Sequence, residues 1–344
     1  MGAKRALLFA RNSYISEARV AAQALREKNT NYDPRLSAWI MLLEGVIQHF
    51  ESLDNTKSKD KFVRAYLIGQ VAKDRELAGL AAAWLSHSLY VAGNVAACVE
   101  HLIQAFEWSV EDEHETRGRA FMVLAGIYDW IDDAKAAKFY LALAREHASK
   151  SGDLALQNAV LFNAAAYAEA RLTRDDCAGI ATPEAIRIAT LHVKSAHNLN
   201  SALGIETLQS MIPIMNAEIA TAKGEWGAAV HLFDSHIDSF VKDGQARLTG
   251  KLYAQRAWCK SNLKDLAGAQ ADLEYSLRES VGTVDFDDLA IMRCRLASVY
   301  QTIGDQNQAE VQRGLARSAL DALGNQQAAA RLALQAVEFN LPKK

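Results

Sequence analysis

Between residues 121 and 144 the apolar side chains return at helical spacing, stop, and return again. Phe121, Leu124, Ala125 and Tyr128 fall at steps of three, one and three, which places them on one helix face. Asp132 and Asp133 interrupt the pattern, and Ala137, Leu141 and Ala144 then recur at steps of four and three. Small residues let two helix backbones approach while the large ones fill the space around them. The stretch therefore predicts a helical hairpin with a polar turn.

Variations of that hairpin run along the chain. Ala18, Ala22 and Leu25 form a stripe on a helix over residues 14–28, whose preceding helix is expected to be short or frayed. Pro34 suits a helix start after the turn cluster at 29–34, and a first helix is expected over 36–50. The polar segment 53–60 reads as a turn before the helix marked by Phe62 and Ala65. A first helix over 77–91 leads through Gly93-Asn94 to the stripe Cys98, Leu102, Ala105. After residues 150–153, Ala164 and Tyr167 stand where Ala125 and Tyr128 stood. The next stripe, Ala189, Val193 and Ala196, is displaced by a 13-residue insertion, 171–183, read as a loop ending in Thr182 as N-cap and Pro183 in the first turn. Gly224-Glu225-Trp226 leads to Ala229 and Phe233, Lys264-Asp265 to Ala269 and Leu273, and Gly304-Asp305 to Ala309 and Ala316. A final helix over 326–339, with no partner, is expected to cap the array.

Aligned on these stripes, the units begin near residues 39, 79, 118, 157, 210, 250 and 290. The pattern resembles the tetratricopeptide repeat, with its aromatic-x-x-Leu-small-x-x-aromatic first helix and Ala-x-x-x-aromatic second helix, in a longer form of about forty residues. The resemblance covers nearly the whole chain. It implies an all-α fold, a single right-handed superhelical α-solenoid of helical hairpins over residues 1–344 with a C-terminal capping helix. Such hairpins bury their apolar faces only against neighbours, at about 25 cal/mol per Å².

Composition supports continuous helices: half of the 344 residues are hydrophobic and only four are Pro. A net charge of −3 gives no basic footprint for nucleic acid. No apolar run approaches the length of a membrane span, and the short run 6–10 is no signal-peptide core, so a cytoplasmic location is expected. Cys98, Cys177, Cys259 and Cys294 form no CxxC and demand neither zinc nor a disulfide.

In a solenoid the first helices line the concave wall, and side chains there choose the partner. The register assigns to that wall or its rim His87, Tyr90, Arg119, Met122, Asp129, Trp130, Asn158, Glu169, Met211, Glu218, Lys251, Trp258, Asn262, Arg295 and Gln301. Trp130 and Trp258 stand out, because aromatics dominate interface energetics, and Tyr90 with Met122 would add an apolar pocket beside Trp130. The competing reading packs each Trp against its own turn or a neighbouring helix. Lys251 and Arg295 match part of the set with which some members of the family hold a terminal carboxylate, but the matching Asn and second Lys are missing.

Catalytic and metal motifs are weak. His231, Asp234, His236 and Asp238 cannot converge from one helix, because His236 lies about 140° from His231. Residues 111–115 read as a charged turn, and no phosphate loop, nucleophile elbow or HExxH occurs. The expectation is a non-catalytic scaffold or adaptor without cofactor or metal, holding a protein or peptide segment in its groove. The terminal repeats leave room for a homo-oligomer. The alternative is a regulatory sensor whose superhelix changes curvature on binding a peptide or small molecule.

Overall fold

A computed structural model describes residues 2–51, 55–204, 210–280 and 285–338. Among these the secondary structure is helical throughout, in helices that pack neighbour to neighbour. Contacts divide the chain into two compact units. Unit 1 comprises Met1–Asn163, Leu203–Thr207 and Ala328–Lys344; unit 2 comprises Ala164–Ala202 and Leu208–Gln327.

In unit 1 the hairpins are α1 (Gly2–Arg11) with α2 (Ile15–Lys28), α3 (Pro34–Glu51) with α4 (Asn55–Val71), α5 (Arg75–Val91) with α6 (Val95–Trp108), and α7 (His114–Trp130) with α8 (Ala134–Ser151). First helices also stack on the next first helix, α1 on α3, α3 on α5 and α5 on α7. Unit 2 holds most of α9 (Leu154–Cys177), then α10 (Pro183–Leu203), α11 (Met211–Ala222), α12 (Trp226–Phe240), α13 (Thr249–Asn262), α14 (Leu266–Glu279), α15 (Phe286–Ile303) and the first two thirds of α16 (Gln306–Glu338). A π turn at Val241–Gln245 and a short 3-10 turn at Ala246–Leu248 join α12 to α13.

One turn recurs within the hairpins. A residue with positive φ ends the first helix at Ser13, Gly93, Asp132, Gly224, Lys264 and Gly304. The next residue's N–H returns to the carbonyl five residues back: Tyr14 to Phe9, Asn94 to Leu89, Asp133 to Tyr128, Glu225 to Ala220, Asp265 to Lys260 and Asp305 to Tyr300, all at 2.9–3.0 Å. That bond satisfies a carbonyl that the helix end would otherwise orphan. Asn94, Asp133 and Asp265 then cap the second helix through their side chains. Gly224, Lys264 and Gly304 stand forty residues apart, the interval that the apolar stripes set.

Those stripes form the cores. Ala18, Phe62, Ala65, Cys98, Leu102, Ala105, Leu124, Ala144, Ala189, Ala196, Ala229, Phe233, Ala269 and Ala309 are all fully buried. Backbone approach is close where Gly45 faces Phe62: an added Cβ would lie 2.6 Å from the Phe62 ring.

Three expectations change. Residues 171–177 are not a loop but the last two turns of α9, which runs for 24 residues. The charged run there contains no Gly or Pro, and the helix stops only near Gly179, whose φ is +72°. The loop shrinks to residues 178–182, and Thr182 caps α10 by accepting from the Ala185 N–H at 3.1 Å. Secondly, residues 55–60 begin α4 rather than forming a turn, while residues 53 and 54 lie outside the described residues. Thirdly, no separate helix starts at 326. α16 is continuous over 33 residues through Gly314 and Gly324, each costing only about 1 kcal/mol in a helix. Nor is its end unpartnered: Ala330 and Leu334 join the core of unit 1, and Arg331 donates to the Ile131 carbonyl at 2.6 Å. Phe339, the last residue of the expected cap, lies outside the described residues.

Candidate functional site

The long α9 sets the most distinctive arrangement. Glu169, Thr173 and Asp176 fall at steps of four and three, so they share one face. The two ends of that face meet first helices of unit 2. Glu169 lies beside Glu218 of α11 and in the field of Lys251 of α13. Asp176 pairs with Arg295 of α15. On α13, Lys251, Gln255 and Trp258 repeat the same spacing. The result is a buried polar ladder with two rungs.

In the first rung the Lys251 ammonium lies 3.3 Å from Glu218 Oε1 and 3.2 Å from Asp288 Oδ1. Burial alone would depress this ammonium, but Glu218, Asp288 and Glu169 together hold it well above its ordinary value. Burial, and then the Glu218 charge, push the Glu169 carboxyl well above the usual carboxylate range. Thr173 Oγ1 donates to Glu169 Oε1 at 2.7 Å. The raised carboxyl favours its neutral form beside Glu218, and Lys251 balances the Glu218 charge. Beside it, burial and the charges of Asp288 and Asp285 raise Asp287 to about 6.

In the second rung Arg295 Nε donates to Gln255 Oε1 at 2.7 Å, and its guanidinium lies 5.7 Å from the Trp258 ring centre. Trp258 meets Trp226 edge-on with ring centres 6.1 Å apart. Asn262 Nδ2 donates to the Trp258 carbonyl at 2.8 Å, while Gln301 is exposed and accepts from Arg313. Glu169, Glu218, Lys251 and Arg295 are therefore brought together, but they face one another and the chain's own α9. Lys251 and Arg295 are already held by carboxylates, so they present no free cation pair to a terminal carboxylate.

Unit 1 treats its expected wall residues differently. Arg119 is buried with its guanidinium carbon 3.5 Å from the centre of the Trp84 ring. Its Nη1 donates to His87 Nδ1 at 3.4 Å, and the His87 ring stacks on Trp84. Burial, followed by the charges of His49 and Arg119, holds the His87 imidazole well below its ordinary value. Met122 is fully buried, so the pocket expected beside Trp130 cannot include it. Asn158 is buried as well, whereas Tyr90, Asp129, Trp130 and, in unit 2, Met211 are half-buried. Trp130 packs against the core of unit 1.

Sequence reasoning passed over Thr173, Asp176, Gln255 and Asp288, which complete the ladder. The steps 169–173–176 and 251–255–258 were the available signal. Open space lies elsewhere: a cavity of about 350 Å³ in unit 1 among Lys4, Arg35, Trp39 and Glu76, and one of about 320 Å³ in unit 2 beside Cys294. Comparison with protein-family models and with curated proteins finds no match.

Proposed function

We propose that the chain is a helical-repeat interaction module of the tetratricopeptide kind, which holds a peptide or protein segment against its first helices. In this reading the hairpins form a right-handed superhelical stack, and recognition works by shape and charge without a chemical step. One observation carries it. First-helix side chains of α11, α13 and α15 are engaged by another helical segment, the end of α9, through Glu169 beside Glu218 and Lys251 and through Asp176 on Arg295. A surface that seats a helix in cis has the side chains to seat one in trans, and a partner segment competes with α9 for Lys251 and Arg295.

The same observation favours a second reading, the sensor. If a ligand displaces α9, the contacts of that helix become the output, as a population shift between docked and released states.

A synthetic peptide of residues 164–177 is the test probe. It is titrated into the full chain carrying Asp176→Ala and Glu169→Gln, which weaken docking in cis. Binding at about 100 µM or tighter, roughly 5.5 kcal/mol, is expected, and adding Arg295→Gln abolishes it. No binding at millimolar peptide would remove the face as a docking surface. Release of α9 in trans, seen as new hydrogen exchange over 164–177, separates the sensor from a passive scaffold.

A further inference from the structure

The four cysteines fall into two classes that their sequence positions do not reveal. Cys98 and Cys259 are fully buried in helix-packing stripes. Burial pushes the Cys259 thiol up to about 11 and the Cys98 thiol higher still. Cys177 and Cys294, 117 residues apart, come together at the end of α9. Both are free and half-buried, and Cys294 Sγ donates to the Cys177 carbonyl at 3.2 Å. Arg295 and Asp176, the neighbouring ion pair, fix the two chain segments on either side of the thiols.

Access to Cys294 is built in. It forms part of the wall of the cavity of about 320 Å³ in unit 2, with Ala297, Ser298 and Ala316 as a small-residue lining and Arg313 and Arg317 at the polar side. The neighbouring Cys177 thiol brings the Cys294 thiol down to about 7, against burial, and the Arg295 charge adds to the effect. A lowered thiol is the more readily ionised one, and the thiolate is the form that reacts. The same pairing, with burial, raises the Cys177 thiol well above its ordinary value. The sulfur on the cavity wall is the one placed to attack, and Cys177 stands beside it.

We infer that Cys294 is a peroxide-reactive thiol and Cys177 its resolving partner, so that the pair is an oxidation site that closes to an intramolecular disulfide. In the first step the Cys294 thiolate attacks one oxygen of hydrogen peroxide. The S–O bond forms as the O–O bond breaks, and the departing hydroxide takes a proton to leave as water, giving the Cys294 sulfenic acid. That acid no longer bears the negative charge that held the Cys177 proton. Cys177 sulfur then attacks the Cys294 sulfur, the S–O bond breaks, and the hydroxide leaves as a second water with the Cys177 proton. Two thiols have lost two electrons, and one peroxide has become two waters. Closing the bond brings the sulfurs of two residues already in contact to about 2.05 Å. A dithiol reductant reverses it by exchange.

The full chain supplies its own controls. It is treated with hydrogen peroxide, blocked with iodoacetamide, digested without reduction, and read by mass spectrometry. The expected result is a Cys177–Cys294 linked peptide while Cys98 and Cys259 remain alkylatable only after denaturation. Before oxidation, Cys294 should alkylate at least about a hundredfold faster than Cys98 or Cys259 in the folded chain. In Cys177→Ser a dimedone-trapped sulfenic acid should accumulate at Cys294, and in Cys294→Ser neither product should form. Should wild-type Cys294 alkylate no faster than the two buried thiols, or oxidise without joining Cys177, the assignment is overturned. The wild-type measurements decide this even if a variant does not fold.

Discussion

Arg119 and Lys251 occupy the same place in their repeats, the second residue of units that begin near 118 and 250, and each is a buried cation on a first helix. Their surroundings are opposite. Arg119 lies on the face of Trp84 with a neutral His87 as acceptor, and burial together with the Arg11 charge lowers its ordinary value. Lys251 sits between Glu218 and Asp288, whose charges outweigh burial and raise it. A planar, weakly hydrated guanidinium tolerates an aromatic face; a compact ammonium requires carboxylates. One repeat position thus carries either an aromatic box or an acid ladder, according to the cation placed there.

The largest expected effect breaks the ladder. Lys251→Met keeps the volume but leaves Glu218 and Asp288 without their counter-charge, and should cost about 3–5 kcal/mol in urea unfolding. A cost under about 1 kcal/mol would mean that the ammonium does not hold the rung together. Next come opposite pH slopes, each limited to about 1.4 kcal/mol per pH unit. His87 is neutral when folded but protonates in the unfolded chain below about pH 6.5, so its contribution is lost as pH falls. Glu169 keeps its proton when folded while the unfolded chain releases it above about pH 4.3, so stability declines as pH rises toward the raised folded value. His87→Gln should flatten the first slope and Glu169→Gln the second, and unfolding from pH 5 to 8 reads both.

A smaller pair asks what the two units share. Asp133 accepts from Ala136 N–H and Asp265 from Gly268 N–H, both at 2.9 Å. Replacing either by Ala should cost about 1 kcal/mol, and equal losses would show that turn chemistry is indifferent to what surrounds it. The smallest effect belongs to Arg119→Met. It removes a desolvated cation along with its ring contact, and the opposing changes should leave stability within about 1 kcal/mol of wild type. A loss comparable to that of Lys251→Met would erase the distinction between box and ladder.

What could be read from the chain follows range. The stripe Cys98, Leu102, Ala105 and the turn Gly224-Glu225 encode their structure within a few residues, so period, hairpins and core are legible. The run 171–177 misleads because its charges suggest a solvated loop, when they lie on a helix whose Asp176 finds Arg295, 119 residues away. Lys251 and Arg295 could be placed on first helices, but not the counter-charges Asp176 and Asp288, which acquire that role only when α9 meets α15 and α15 meets α13. Cys177 and Cys294 were invisible as a pair for the same reason. Nothing in local periodicity couples sites three hairpins apart.

The six matching turns have a practical corollary. Gly224, Lys264 and Gly304 are equivalent joints, each closed by a bond that involves main-chain atoms alone. A second copy of residues 225–264, spliced in after Lys264, would begin and end on the same backbone geometry and preserve the phase of every alanine downstream. The array between α12 and α15 is thus modular in the engineer's sense, open to lengthening by whole segments of forty and intolerant of thirty-nine.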